Sequence, residues 1–135
     1  MSFNGEITFS ISDEKKISVD LGMDLLPTKI INKGNVIMGR TAPKYKWIYE
    51  TKFDGEDEYY RCLEKLLSKL HKRKEYIHQL IKQYEEVSIN IYIRSDFGQI
   101  GYSLPNYIIC KMGQIQCAIN FEIISFGLVL DEKSD

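Results

Sequence analysis

Four stretches of the chain alternate apolar and polar side chains with the two-residue period of a strand that buries one face. Ile7, Phe9 and Ile11 face one way, and Thr8, Ser10 and Ser12 the other. Val87, Ile89, Ile91 and Ile93 oppose Ser88, Asn90, Tyr92 and Arg94. Cys117, Ile119, Phe121 and Ile123 oppose Ala118, Asn120 and Glu122, and Tyr45, Trp47 and Tyr49 oppose Lys46, Ile48 and Glu50. Strands of a doubly wound parallel sheet are buried on both faces and read as continuous apolar runs. The alternation therefore predicts an α+β class: a two-layer domain of the ferredoxin-like type, with an antiparallel sheet and helices packed on one face. A fifth short strand, Gln99 to Leu104, is expected to pair with the Val87–Arg94 strand through a Ser95–Gly98 turn.

Helical spacing replaces alternation after Glu56. Tyr59, Leu63, Leu66, Leu67 and Leu70 fall on one stripe, and Ile77, Leu80, Ile81 and Tyr84 continue it in nearly the same phase. Asp54 is placed to cap the start, with Glu56, Asp57 and Glu58 in the first turn; Lys69, Lys72 and Arg73 lie at the end, where the helix dipole favours bases. A single helix across both stripes would run about 44 Å, long for a domain of this size, so a break is expected near His71 to Lys74. Two shorter helices are predicted, from Asp13 to Leu21 ending at Gly22, and from Pro105 to Met112 ending at Gly113.

Composition narrows the class without naming a function. With 135 residues, 44% hydrophobic and 27% charged, the chain reads as one domain over residues 1–130, with a disordered acidic tail at 131–135. Eighteen basic and nineteen acidic residues leave a net charge of −1, which argues against nucleic acid or anionic lipid as a general partner. No apolar run is long enough to span a bilayer, and MSFNGEITFS lacks the basic and apolar regions of a signal peptide. A cytoplasmic protein follows as the expectation. Cys62, Cys110 and Cys117, odd in number and without CxxC spacing, are expected as reduced, mostly buried thiols.

Candidate chemistry is sparse. His71 and His78 can share a helical face with Glu75, but a zinc site draws three or four ligands, usually from more than one element, so no metal is expected. No GxSxG elbow occurs, and Gly98-Gln99-Ile100-Gly101 is neither a P-loop nor a dinucleotide fingerprint. Asp20, Asp24, Glu50 and Glu122 are scattered, so no catalytic residue and no cofactor is assigned. The basic run Lys69 to Lys74 is read as solvating a helix bend rather than gripping a phosphate backbone. Tyr92 and Arg94 alone do not make the aromatic, basic run of an RNA-binding sheet. The surfaces left are the polar sheet face, carrying Thr8, Ser10, Asn90, Tyr92, Asn120 and Glu122, and the Asn32 to Lys44 loop, with Arg40, Trp47 and Tyr49 beside it.

The order of these parts resembles a family of bacterial proteins known as domain of unknown function 4279. The residues that carry the likeness are EITFSIS, Leu21-Gly22, Leu26-Pro27-Thr28, Lys33-Gly34, Trp47, LEKLLSKL, EYIHQLIKQY, VSINIYIR and GYSLPNYIICKMGQIQCAINFEI, spanning about residues 6 to 126. The resemblance implies a compact α+β domain of the bacterial cytosol with no agreed activity, hence no catalytic residue to carry over. The leading expectation is a non-enzymatic protein-interaction module, of the immunity or antitoxin kind, with a protein partner. The alternative is a small-molecule-binding or enzymatic domain with a pocket near Trp47, Tyr49 and the 32–44 loop. Edge strands of such a sheet also allow a homodimer.

Overall fold

A computed structural model describes residues 3–128, so the expected tail at 131–135 lies outside the described residues. The elements are β1 (Asn4–Asp13), β2 (Lys29–Ile31), β3 (Val36–Ile37), β4 (Arg40–Thr41), β5 (Tyr45–Asp54), α1 (Glu56–His71), α2 (Lys74–Gln83), β6 (Glu86–Phe97), α3 (Asn106–Ile115) and β7 (Ala118–Leu128). Five strands form one sheet in the order β2-β5-β1-β6-β7, and β3 and β4 form a separate hairpin. The α+β class holds.

Two details of the sheet correct the expectation. Pairing is antiparallel from β2 through β6, but β7 runs parallel to β6, so the sheet is mixed. A parallel neighbour needs a crossover, and α3 with the segment before it supplies one. Residues Gln99 to Leu104 are therefore not a hairpin strand; they are irregular, with Ile100, Tyr102 and Leu104 packed against the core. Nor is the order of long elements the β-α-β-β-α-β of a ferredoxin-like sandwich.

The helical expectations divide. The break between α1 and α2 falls at Lys72–Arg73, where Arg73 donates to the Lys69 carbonyl at 2.7 Å and pairs with Asp24. Asp54 does not cap α1: it ends β5, the N-cap is Gly55 with no side-chain cap, and Glu58 instead accepts the Asp54 amide at 3.2 Å. Gly113 lies inside α3, and the helix stops at Gln116 in the left-handed region. No helix forms over Asp13 to Leu21. Ile17 and Val19 are β-branched, and the segment has better partners than its own carbonyls. Asp13 accepts the amides of Lys15 (2.7 Å) and Glu85 (2.9 Å), and the Tyr84 hydroxyl both accepts from and donates to the Ser18 backbone.

The core lies on the face of the sheet that carries Ile7, Phe9, Ile11, Trp47, Phe53, Ile89, Ile91 and Ile93. Against it pack Tyr59, Leu63, Leu66, Leu67 and Leu70 of α1, Ile77 and Leu80 of α2, and Ile108, Met112 and Ile115 of α3. At one end Tyr59 is ringed edge-on by Phe3, Phe53, Tyr60 and Tyr102 at centroid distances of 5.1 to 6.0 Å. Its hydroxyl is buried and, among the described residues, has no hydrogen-bond partner; burial raises the phenol far above its ordinary pKa.

Three measurements check this packing. A methyl group on Gly5 would sit 1.7 Å from the Tyr92 carbonyl oxygen of the neighbouring strand, so Gly5→Ala should cost at least the ~1–3 kcal/mol of core overpacking in denaturant unfolding. Tyr59→Phe should leave stability unchanged or raise it by about 1 kcal/mol, because an unpaired buried hydroxyl is removed without changing shape. For Asp13 the amides of Lys15 and then Glu85 lower the pKa below the usual carboxylate value. A depressed folded pKa gives stability that is present above about pH 3.9 and lost as pH falls through the folded value. Asp13→Asn should therefore flatten the acid limb of the stability profile; an unchanged limb would show that Asp13 is not linked to folding.

Candidate binding surface

Strand alternation sends every second side chain of the sheet away from the helices, and register then fixes which of them meet. Five rows cross this open face. Ile31, Lys46, Ser12 and Glu86 form one; Lys29, Ile48, Ser10, Ser88 and Ala118 the next; then Glu50, Thr8, Asn90 and Asn120; then Lys52, Glu6, Tyr92 and Glu122; then Asp54, Asn4, Arg94 and Ile124. Their centre is a hollow of about 420 Å³, lined by Thr8, Ser10, Asn90, Tyr92, Glu6, Glu50, Lys29, Lys46, Arg94 and others.

Asn90 organises the floor. Its amide nitrogen lies 2.9 Å from Ser10 Oγ and 3.2 Å from both Thr8 Oγ1 and Ser88 Oγ, while its carbonyl oxygen accepts from Asn120 Nδ2 at 2.9 Å. Thr8 and Ser10 accept from Asn90, and Ser10 Oγ also lies 3.4 Å from Ser88 Oγ, so these hydroxyls belong to one network. Ser88 is fully buried although it sits on the polar side, so its hydroxyl is committed to this network. Arg94 pairs with Glu6 at the rim, and Thr28 closes the β2 side by accepting the Glu50 amide at 3.0 Å. The rim carries Glu6, Glu50 and Glu86 against Lys29, Lys46 and Arg94, a balance of signs rather than a field of one sign. Burial raises the Tyr92 pKa, and the charges of Glu122, Glu6, Glu50 and Glu86 add to it, so the phenol stays neutral.

The expected residues split between two faces. Thr8, Ser10, Asn90 and Tyr92 line the hollow; Asn120 joins them through Asn90, and Glu122 is in register with Tyr92. Trp47 and Tyr49 are not brought to it. Trp47 is 4% exposed and stacks edge-on against Phe9, and Tyr49 lies on the same side under Lys69. Their stripe is the inward one because its partners in register are Ile11 and Phe9. Arg40 stands exposed on the β3–β4 hairpin, whose tip residue Met38 has φ 51° and is 97% exposed. Glu6, Glu50, Lys46 and Arg94 were within reach of the same parity argument. Thr28 and Lys29 were not, since a three-residue strand after Pro27 leaves no period to read.

Candidates for chemistry elsewhere are occupied. His71 donates to the Gln114 side chain and His78 to the Gln114 main-chain carbonyl at 2.9 Å, so the pair ties α1 and α2 to the end of α3. Cys62, Cys110 and Cys117 are free thiols; Cys110 is exposed rather than buried, and burial pushes the Cys117 thiol up to about 11. Among the described residues no cluster of His, Cys, Asp or Glu is placed to hold a metal ion, and no helix is long and apolar enough to cross a membrane.

Asn90→Ala should strip Asn120, Thr8 and Ser10 of their shared partner and cost about 1–3 kcal/mol in denaturant unfolding. A change within experimental error would mean that water replaces the amide and that the floor is not a fixed lattice.

No curated protein and no solved structure matches the chain. A family model, Domain of unknown function (DUF4279), matches residues 4–125, from the first residue of β1 to near the end of β7. By that match the chain belongs to the DUF4279 family.

Proposed function

We propose that the chain is a non-enzymatic protein-binding module of the bacterial cytosol, a two-layer domain whose uncovered sheet face is its contact surface. The observation that supports this reading most is the floor of that face, where Asn90, Asn120, Thr8, Ser10 and Ser88 satisfy one another. A fixed polar lattice with a rim of both charge signs suits selection of a partner by complementary charge and hydrogen bonding. Catalysis would need an activated group, and the nearest candidate, Tyr92, is held neutral by burial and by surrounding carboxylates. The β3–β4 hairpin leaves the end of the β2–β5 pair and exposes Val36, Ile37 and Met38, apolar anchors of the kind interfaces bury. An immunity or antitoxin role fits a small binding module of this form.

A small polar ligand in the hollow is the second reading, favoured by its volume and its polar lining. Trp47 and the 32–44 loop lend that reading no support, because the indole is buried on the other side.

Capture from native cells tests the proposal. The wild-type chain should retain one stoichiometric protein, and Thr8→Arg, which fills the hollow, should lose it, while Glu64→Lys on exposed α1 should not. Repeated recovery of nothing, or equal retention by Thr8→Arg, would sink the proposal.

A further inference from the structure

β7 has the side chains of a strand inside a sheet but the position of one at its edge. Among the described residues its only sheet neighbour is β6. Yet both of its faces carry exposed apolar residues: Phe121 (42% exposed) and Ile123 (49%) on the helix side, and Ile124 (50%) on the other, with Phe126 (63%) beyond. Edge strands ordinarily carry lysine, proline or a short length to prevent pairing. β7 has none of these; it is 11 residues long, and its one charged side chain is Glu122. Within the helix layer α3 lies against α1 and α2, and the half-exposure of Phe121 and Ile123 shows that this layer leaves the helix side of β7 partly open. Ile119 packs against the core and Tyr102 meets Phe121 at a ring distance of 6.4 Å, so the cover thins from Ile119 towards Ile123.

We infer that β7 is a homodimer interface, pairing antiparallel with β7 of a second copy about a two-fold axis normal to the sheet. Such an axis keeps helix side with helix side, so residues of like parity must face each other. Centring on Phe121 sets Phe121 opposite its own copy, Ile119 opposite Ile123, and Asn120 opposite Glu122. Each pairing is apolar with apolar or amide with carboxylate, and no like charges meet. Centring on Glu122 would oppose two carboxylates and is excluded. The exposed side chains offer on the order of 400 Å² per copy, about half the ~800 Å² of a standard interface. The newly paired edge backbone adds to this, and the contact stays at the small end of interface sizes, as suits a dimer that separates on dilution. A two-fold contact needs no second complementary surface, which is why this strand points to its own copy rather than to a different chain.

Light scattering coupled to size exclusion should give a mass near twice the 15.8 kDa of one chain, falling to one chain on dilution. Ile123→Lys, at a half-exposed site, should give the single-chain mass with an unchanged circular dichroism spectrum. Phe121→Cys, in a Cys110→Ser background, should form an intermolecular disulfide on mild oxidation, since residues directly opposite fall within disulfide reach. A single-chain mass at every concentration overturns the inference. So does a dimer that survives Ile123→Lys, or one that yields no cross-link in Phe121→Cys. Asn120 and Glu122 belong to both surfaces, but the dimer is read by mass and cross-linking at Ile123 and Phe121 on the helix side, and partner capture by Thr8 on β1, so the two readings fail separately.

Discussion

β1 lies between β5 and β6 and pairs with both along nearly its whole length, and this double pairing is the constraint on which the rest depends. Its alternation has to serve two solvents at once. Ile7, Phe9 and Ile11 enter the core, while Glu6, Thr8, Ser10 and Ser12 meet the polar rows of both neighbours. A slip of one residue against either neighbour would carry three large apolar side chains to the wet face and bring the hydroxyls into the core. Gly5 fixes the other end of the strand, where the close approach of the Tyr92 backbone leaves no room for a β-carbon. The register is therefore specified twice, by burial and by sterics.

From that register the division of labour follows. The helix side is a filled core, and its polar groups are structural. His71 and His78 hold Gln114, and Arg73 joins the α1–α2 bend to the turn at Asp24. Those contacts absorb both histidines and, of the basic run, Arg73. The other side keeps a polar lattice that the fold does not need for its core. A lattice of amides and hydroxyls with balanced charge at its rim holds a partner in one orientation but activates nothing, which favours recognition over catalysis.

Sequence periodicity reached as far as local physics reaches. The strand faces of β1, β6 and β7, the apolar stripe of α1 and α2 and the break at Arg73 were legible because each is set by neighbours a few residues away. The parallel pairing of β7 was not, since the same alternating pattern suits either direction and only the crossover through α3 decides it. Asp13 to Leu21 reads as a helix until the Tyr84 hydroxyl and the Glu85 carboxylate, more than sixty residues on, accept the amides of Ser18 and Glu14. For Trp47 and Tyr49 the alternation was visible, but the direction of that stripe was set by Ile11 and Phe9 across the strand pair. Four of the nine expected surface residues line the hollow, all of them on β1 and β6, where parity was least ambiguous.

In the proposed function recognition belongs to the open sheet face, and the helices serve as its support. Solution NMR of the labelled chain, titrated with the captured partner, tests this most directly. The account predicts shift changes at the side-chain amides of Asn90 and Asn120 and at Thr8, Ser10, Tyr92 and Glu122, with the methyls of Leu63, Leu66 and Ile77 unmoved. Changes concentrated on the outer surfaces of α1 and α2, with Asn90 and Asn120 silent, would contradict it.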